Sequence, residues 1–120
     1  MQIKPLSDMK DWELMWDEQQ SEDSGALLVF KLSPICPTSH AAEAEFRRFA
    51  ESLPDSKDLK LVSVDVIGQR PISQRIARDT GVRHESPQAL LISRRNVRWH
   101  ASHGGITEDS LTAALASAKV

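Results

Sequence analysis

The chain has a single cysteine, Cys36, among its 120 residues. One cysteine excludes an internal disulfide, a Cys-x-x-Cys redox pair and an all-cysteine zinc site within the monomer. An excess of positive charge is also lacking, because 15 Lys and Arg stand against 17 Asp and Glu and leave a net charge of −2. No overall basic field is present to hold nucleic acid or an anionic membrane, so the expected partners are proteins or small molecules.

Long apolar runs are missing as well. The longest, Ala26–Phe30, is far short of the roughly 20 residues that span a bilayer. The stretch from Met1 to Trp16 mixes charged side chains into its apolar ones and lacks the continuous core of a secretory signal. We therefore expect a cytoplasmic protein. With 40% hydrophobic and 27% charged residues, the composition is that of one folded domain over residues 1–120.

Helical and strand patterns alternate along the chain. Helices are predicted over about residues 8–19 with Ser7 as N-cap, from Pro37 to before Pro54, over about 71–80, and after Thr107. Strands are predicted over residues 26–32, 59–66, 89–92 and 96–100. A helical crossover makes the first two strands parallel, and a short turn makes the last two a hairpin. This order predicts a thioredoxin-like α/β fold, a three-layer α/β/α sandwich around a mixed four-stranded sheet.

Cys36 falls in the turn between the first strand and the next helix. Pro37 follows it directly, and a proline at the first helical position lacks only an N–H that would have no partner there. The N–H groups and hydroxyls of Thr38 and Ser39 are then free to point at the sulfur. Because a helix N-terminus lowers a thiol pKa and the thiolate is the reactive form, this position indicates a nucleophile. The alternative is a small buried packing residue.

Pro87 precedes the third predicted strand and, in a thioredoxin-like arrangement, lies near Cys36 at one end of the sheet. We expect its peptide bond to be cis, with the neighbouring backbone free to hold an extended disulfide substrate. An ordinary trans proline in a loop is the alternative. His40 shares a helix face with Cys36, but two ligands at this spacing are a weak zinc signal, and no metal site is predicted.

Several groups of residues together resemble one known family. They are Phe30-Lys31 and Ser33, Cys36-Pro37 and Ser39, Gly81-Val82 and His84-Glu85-Ser86-Pro87-Gln88, and Trp99-His100, Ser102-His103 and Ile106-Thr107. The chain is similar in these residues, over about Leu27 to Leu111, to the monothiol bacilliredoxins, also called YtxJ-like bacillithiol-system redox proteins. The usual active turn of that family, Thr-Cys-Pro-Ile-Ser, differs from this one at Ile35 and Thr38.

The resemblance implies a thiol–disulfide oxidoreductase that removes bacillithiol from mixed disulfides on protein cysteines, with Cys36 as nucleophile and Pro87 as cis-proline. It implies no permanently bound cofactor. Bacillithiol or another low-molecular-weight thiol is the expected co-substrate, and S-thiolated client proteins and a reductase are the expected partners. The cysteine count agrees, because a monothiol enzyme needs an external thiol to release it.

Substrate contacts are expected from five residues around this turn. Bacillithiol carries a malyl group with two carboxylates, which Lys31, Arg83 or a backbone nest near Pro87 would attract. Ser33 and Ser86 are also expected to contact the substrate. Two other functions stay open, namely a non-catalytic redox sensor or binding module in which Cys36 is only capped, and the same reaction with glutathione or coenzyme A.

Overall fold

The computed structural model of the protein describes residues 1–118, so residues 119–120 of the predicted domain lie outside the description. The strands are β1 (Ile3–Pro5), β2 (Ala26–Leu32), β3 (Leu59–Asp65), β4 (Gln88–Ser93) and β5 (Asn96–Ser102). The helices are α1 (Met9–Glu18), α2 (Pro37–Glu51), α3 (Arg70–Thr80) and α4 (Glu108–Ala118), and a short 3₁₀ turn covers His103–Gly105.

All the described strands belong to one mixed sheet in the order β1-β3-β2-β4-β5. β2 runs parallel to β3, whereas β4 is antiparallel to both β2 and β5. Helices cover both faces of the sheet. The predicted thioredoxin-like sandwich, with a parallel pair followed by a hairpin, is therefore confirmed.

The predicted number of strands is wrong, because the sheet has five strands and not four. The additional strand, β1, is only three residues long and contains Lys4 and Pro5, so it has no alternating pattern to detect. It forms by pairing in parallel with β3, as in the alignment of Ile3 with Leu61. A proline is tolerated there because β1 is an edge strand.

The cap of α1 also differs from the prediction. Asp8, not Ser7, is the N-cap residue, and its carboxylate accepts a hydrogen bond from Lys10 N at 3.0 Å. Either side chain is suited to capping, and the choice depends on where β1 ends and the chain turns. At the other helix ends Gly81 is the left-handed cap of α3 and Thr107 accepts from Ser110 N, as predicted.

One face of the sheet, which we call the α2/α4 face, is apolar. Phe30 of β2 stacks on Phe46 of α2 with 4.7 Å between ring centroids, and Leu111 of α4 belongs to the same buried cluster. Leu28 points to this face as well, since alternate residues of a strand share a side. Apolar packing thus fixes α2 against the centre of the sheet.

The opposite face, which we call the α1/α3 face, is apolar over most of its area and polar at one end. Trp12 of α1, Val29 of β2 and Ile76 of α3 are buried together. Toward the carboxyl end of β2, the buried side chains on this face are those of Lys31 and its cross-strand neighbour Gln88. The strand alternation places Lys31 on the same side as Val29.

Three loops meet where β2 and β3 end and β4 begins. Val66, just after β3, donates its N–H to the carbonyl of Leu32 at 2.9 Å. Lys31 pairs with Gln88, so Pro87 lies beside the end of β2. The turn after β2, which contains Cys36, is therefore adjacent to the loop after β3 and to the segment before β4. Of the helices within residues 1–118, none has the length and hydropathy needed to cross a membrane.

Candidate active site

Cys36 is the N-cap residue of α2. Its backbone is extended (φ −99°, ψ 122°), and Pro37 occupies the first helical position, as predicted. The carbonyl of Cys36 accepts a helical hydrogen bond from His40 N at 3.1 Å. The residue is partly exposed, so its sulfur can be reached by another sulfur.

The environment of Cys36 favours the thiolate. The N–H groups of Ser39 and then Thr38 lower the pKa of the thiol, partial removal from water opposes this, and the hydroxyls of Thr38 and Ser39 lower the pKa further. The sulfur makes no capping hydrogen bond, so the stabilisation is an attraction between the N–H dipoles of the helix start and a nearby negative charge. The net direction is a thiol pKa below the ordinary value.

Side chains and backbone hold the turn before Cys36 closed. Ser39 is fully buried, and its hydroxyl accepts a hydrogen bond from Ser33 N at 3.0 Å. The carbonyl of Ser33 accepts from Cys36 N at 3.3 Å. His40 donates from Nε2 to the carbonyl of Pro34 at 2.8 Å. Ser33 and Ser39 thus shape the turn, and within residues 1–118 no group of three His, Cys, Asp or Glu residues is arranged to hold a metal.

Pro87 is buried beside this turn, and the Ser86–Pro87 peptide bond is cis. The carbonyl of Pro87 accepts a hydrogen bond from His103 N at 3.1 Å, which attaches the 3₁₀ turn to the same end of the sheet. Ser86 is half-buried, and among the described residues its hydroxyl has no hydrogen-bond partner. Ser86 and Pro87 therefore belong to the same loop cluster as Cys36.

Lys31 is not placed to contact a substrate, in contrast to the prediction. It has 0% exposure, and its Nζ donates to the carbonyl of Ser73 at 3.0 Å and contacts Nδ1 of His84 at 3.2 Å. Burial lowers the pKa of Lys31 to about 8. The prediction treated the lysine as a surface cation, whereas the alternation of β2 turns it beneath α3 on the α1/α3 face.

Arg83 is the predicted anion-binding residue that remains accessible. It is exposed, and its guanidinium takes part in no ion pair formed within residues 1–118. Its carbonyl accepts from Nε2 of Gln88 at 2.9 Å, so its backbone is anchored. A free charge on an anchored segment suits recognition of a carboxylate.

Three polar residues near the site were not predicted to have a role there, namely Ser73, His84 and Gln88, although His84 and Gln88 belong to the motif that carries the family resemblance. They surround Lys31 or hold the segment before β4. One signal in the sequence was available. A lysine inside the otherwise apolar run 26–32 of a central strand has to be buried, and a buried cation needs polar neighbours. The pattern does not say which distant residues supply them.

Comparisons with known proteins agree with this geometry. A protein solved as a proposed oxidoreductase with a thioredoxin fold is 30% identical, has a TM-score of 0.77, and aligns over 94% of this chain and 93% of its own. Thioredoxins of Fasciola hepatica and Malassezia sympodialis have TM-scores of 0.72 and 0.71 at 14% identity, covering 96% and 99% of this chain and 98% and 92% of theirs. At 14% identity the likeness shows the fold alone.

Fold and site define a class, that of the thioredoxin-fold thiol oxidoreductases, here with a single cysteine at the start of the helix after the central strand. Within this class, the model of the monothiol bacilliredoxin BrxC family matches residues 4–111. The chain belongs to that family.

Proposed function

We propose that the protein removes bacillithiol from mixed disulfides on client proteins, with Cys36 as the only redox-active residue. The observation that carries the proposal is the position of Cys36. It is a lone, partly exposed cysteine at the start of α2, where the N–H groups of Ser39 and Thr38 lower its pKa. A lower thiol pKa increases the thiolate fraction at neutral pH, and thiolate is the attacking species.

The reaction is two successive thiol–disulfide exchanges. The Cys36 thiolate attacks the bacillithiol sulfur, the disulfide between bacillithiol and the client breaks, and the client sulfur leaves as a thiolate that takes a proton from water. Cys36 then carries bacillithiol in a new disulfide. A second small-molecule thiolate attacks that bacillithiol sulfur, which releases a disulfide of two small thiols and regenerates the Cys36 thiolate. The second small thiol is the reductant of the cycle, because its sulfur is oxidised to the disulfide, its proton goes to water and the client sulfur ends as a thiol.

Recognition of bacillithiol is assigned to the segment before β4. The two carboxylates of bacillithiol suit the exposed guanidinium of Arg83, which forms no ion pair with another residue in the range 1–118. The unpartnered hydroxyl of Ser86 is available to the same ligand or to the backbone of the client. Thr38 and Ser39 are assigned to stabilising the thiolate, because their N–H groups and hydroxyls lower the pKa of Cys36.

The proposed setting follows from this chemistry. The proposed partners are client proteins with bacillithiol on a cysteine, bacillithiol itself and a reductase. The co-substrate thiol is not held permanently. The proposed location is the cytoplasm, where thiols are kept reduced. Nucleic acid and membranes have no part in the proposal.

The test is release of bacillithiol from a purified bacillithiolated client by the wild-type protein and by Cys36→Ser. We expect catalytic release by the wild type with excess bacillithiol and none by the variant. A matched client carrying glutathione or coenzyme A tests the choice of thiol, and faster release from either would replace bacillithiol as the substrate. A single modification of Cys36 without further cycling would instead indicate a redox sensor.

A further inference from the structure

One buried charge has no part in the exchange reaction. Lys31 is completely buried and is absent from the ion pairs within residues 1–118. An ammonium group buried without a carboxylate is costly, so its N–H donors need hydrogen-bond acceptors. Two of them are the Ser73 carbonyl at 3.0 Å and Nδ1 of His84 at 3.2 Å. The Ser73 hydroxyl contacts the same Nδ1, also at 3.2 Å.

The two contacts of Lys31 connect three elements around the site. Lys31 belongs to β2, which leads into the Cys36 turn, Ser73 belongs to α3, and His84 lies in the segment that ends at Pro87. An ammonium group can only donate, so Nδ1 of His84 accepts and the proton of its neutral ring is on Nε2. Burial and then the charge of Lys31 lower the pKa of His84, which keeps the ring neutral at pH 7.

Two further hydrogen bonds anchor the same segment. The side chain of Gln88 is the cross-strand neighbour of Lys31 on the α1/α3 face, and its Nε2 donates to the carbonyl of Arg83 at 2.9 Å. His103 N donates to the carbonyl of Pro87 at 3.1 Å. Among these three hydrogen bonds, only the one from the Lys31 ammonium group to His84 is charge-assisted. Charge-assisted hydrogen bonds are the stronger kind.

We propose that Lys31 is a positioning residue that, through Nδ1 of His84, holds the segment Arg83–Pro87 in the place where a mixed disulfide binds beside Cys36. This rests on the proposed function, because it assigns the segment to substrate binding. Lys31 does not act on the sulfur, since the groups that shift the pKa of Cys36 are those of Thr38 and Ser39.

Other charges near His84 are those of Arg70 at the start of α3 and of Glu85. Arg70 lowers the pKa of His84 and Glu85 raises it. Protonation of His84 would place an N–H against the Lys31 ammonium and reverse the contact. The contact with Lys31 is therefore present above the pKa of His84 and lost below it, where the Ser73 hydroxyl can still accept from Nδ1. Neutral Lys31 at alkaline pH still has N–H donors.

Three substitutions separate the contact from the rest of the site. Lys31→Met removes the donor at similar side-chain length. His84→Asn keeps an acceptor at the position of Nδ1, whereas His84→Gln moves it toward the position of Nε2. His84 is exposed, so both of its variants should fold. Lys60→Met, at an exposed lysine of β3 paired with Glu18, is the control for loss of a lysine.

The first measurement is kcat/KM for release of bacillithiol from a bacillithiolated client at neutral pH. We expect losses of about 10-fold or more for Lys31→Met and His84→Gln, because displaced binding groups cost one to two orders of magnitude. Lys60→Met should stay within about threefold of wild type, and His84→Asn should lose clearly less than His84→Gln. The pH dependence of Cys36 alkylation should be unchanged in all of them.

A second measurement does not need turnover. Amide hydrogen exchange over residues 83–88 should accelerate in Lys31→Met and His84→Gln but not in His84→Asn, and the NMR-titrated pKa of His84 should rise in Lys31→Met. Unchanged exchange and unchanged kcat/KM in Lys31→Met, or equal losses in both His84 variants, would overturn the positioning role. If wild type releases no bacillithiol, the proposed function fails, and the exchange data still decide whether Lys31 holds the segment.

Discussion

The two faces of the sheet hold the two halves of the site by different physical means. On the α2/α4 face, Phe30, Phe46 and their apolar neighbours fix α2, whose N-cap residue is Cys36. On the α1/α3 face the apolar cluster gives way to Lys31 and Gln88, which hold the segment before β4. One half is fixed by non-directional burial and the other by a few directional contacts.

This difference implies different sensitivities. Apolar packing tolerates changes of pH and loses stability when volume is removed. A buried lysine with polar partners responds to protonation and to the position of single atoms. The position of Cys36 should therefore change little with pH, because apolar packing fixes α2. The position of the segment before β4 should change with pH, because polar contacts fix it.

Loss of the nucleophile is the largest expected effect. Cys36→Ser should reduce bacillithiol release by about 10³-fold or more, because a serine hydroxyl neither ionises at neutral pH nor forms a disulfide. Cys36 is an N-cap residue without a capping hydrogen bond, and a serine hydroxyl can supply one, so the free energy of unfolding should not decrease. Release assays together with urea unfolding check both statements, and residual turnover near the wild-type rate would contradict the first.

Removal of packing volume on the α2/α4 face should lower the stability of the fold. Phe46 has 0% exposure and stacks on Phe30, so Phe46→Ala should cost about 3–5 kcal/mol in the free energy of unfolding. Leu14→Ala, at a leucine with 62% exposure on α1, is the control and should cost no more than about 0.5 kcal/mol. Equal costs for the two variants in urea unfolding would contradict the assignment of Phe46 to the core.

The α1/α3 face should show a pH dependence through Lys31, whose pKa is lowered from 10.5 to about 8. Between these values the unfolded chain binds a proton that the folded chain has lost, so wild-type stability rises with pH. Relative to Lys31→Met, wild type should gain about 3 kcal/mol over this window, as an upper bound. Urea unfolding at both ends of the window measures it, and a pH-independent difference would rule out a buried, charged Lys31.

The smallest expected effect concerns the turn itself. Ser39→Ala leaves the buried N–H of Ser33 without its acceptor, which should cost about 1–3 kcal/mol. It also removes one hydroxyl that lowers the pKa of Cys36, so that pKa should rise. Urea unfolding and the pH dependence of alkylation test the two effects, with Ser7→Ala at an exposed serine as the control. An unchanged alkylation profile would assign Ser39 to folding alone.

Local patterns were sufficient for much of the fold and for the nucleophile. The apolar run of β2, the turn before Pro37 and the left-handed cap at Gly81 are each determined by neighbouring residues, and each is found where predicted. β1 was not predictable, because three residues form a strand only by pairing with β3.

Contacts between distant residues explain the error about Lys31. Ser73 and His84 lie 42 and 53 positions further along the chain, and no local pattern links them to β2. The sequence predicted a cation near the site, and it did not predict which face of the sheet would bury it. Strand alternation and the position of α3 together decide that the charge holds a loop and does not face solvent.

The most direct test of the account follows the bacillithiol group itself. Intact-protein mass spectrometry after a single turnover should show the mass of one bacillithiol leaving the client and appearing on the wild-type protein at Cys36. With Cys36→Ser, the group should stay on the client. Release of bacillithiol from the client without its appearance on Cys36, or an adduct that joins Cys36 to the client, would contradict the proposed transfer.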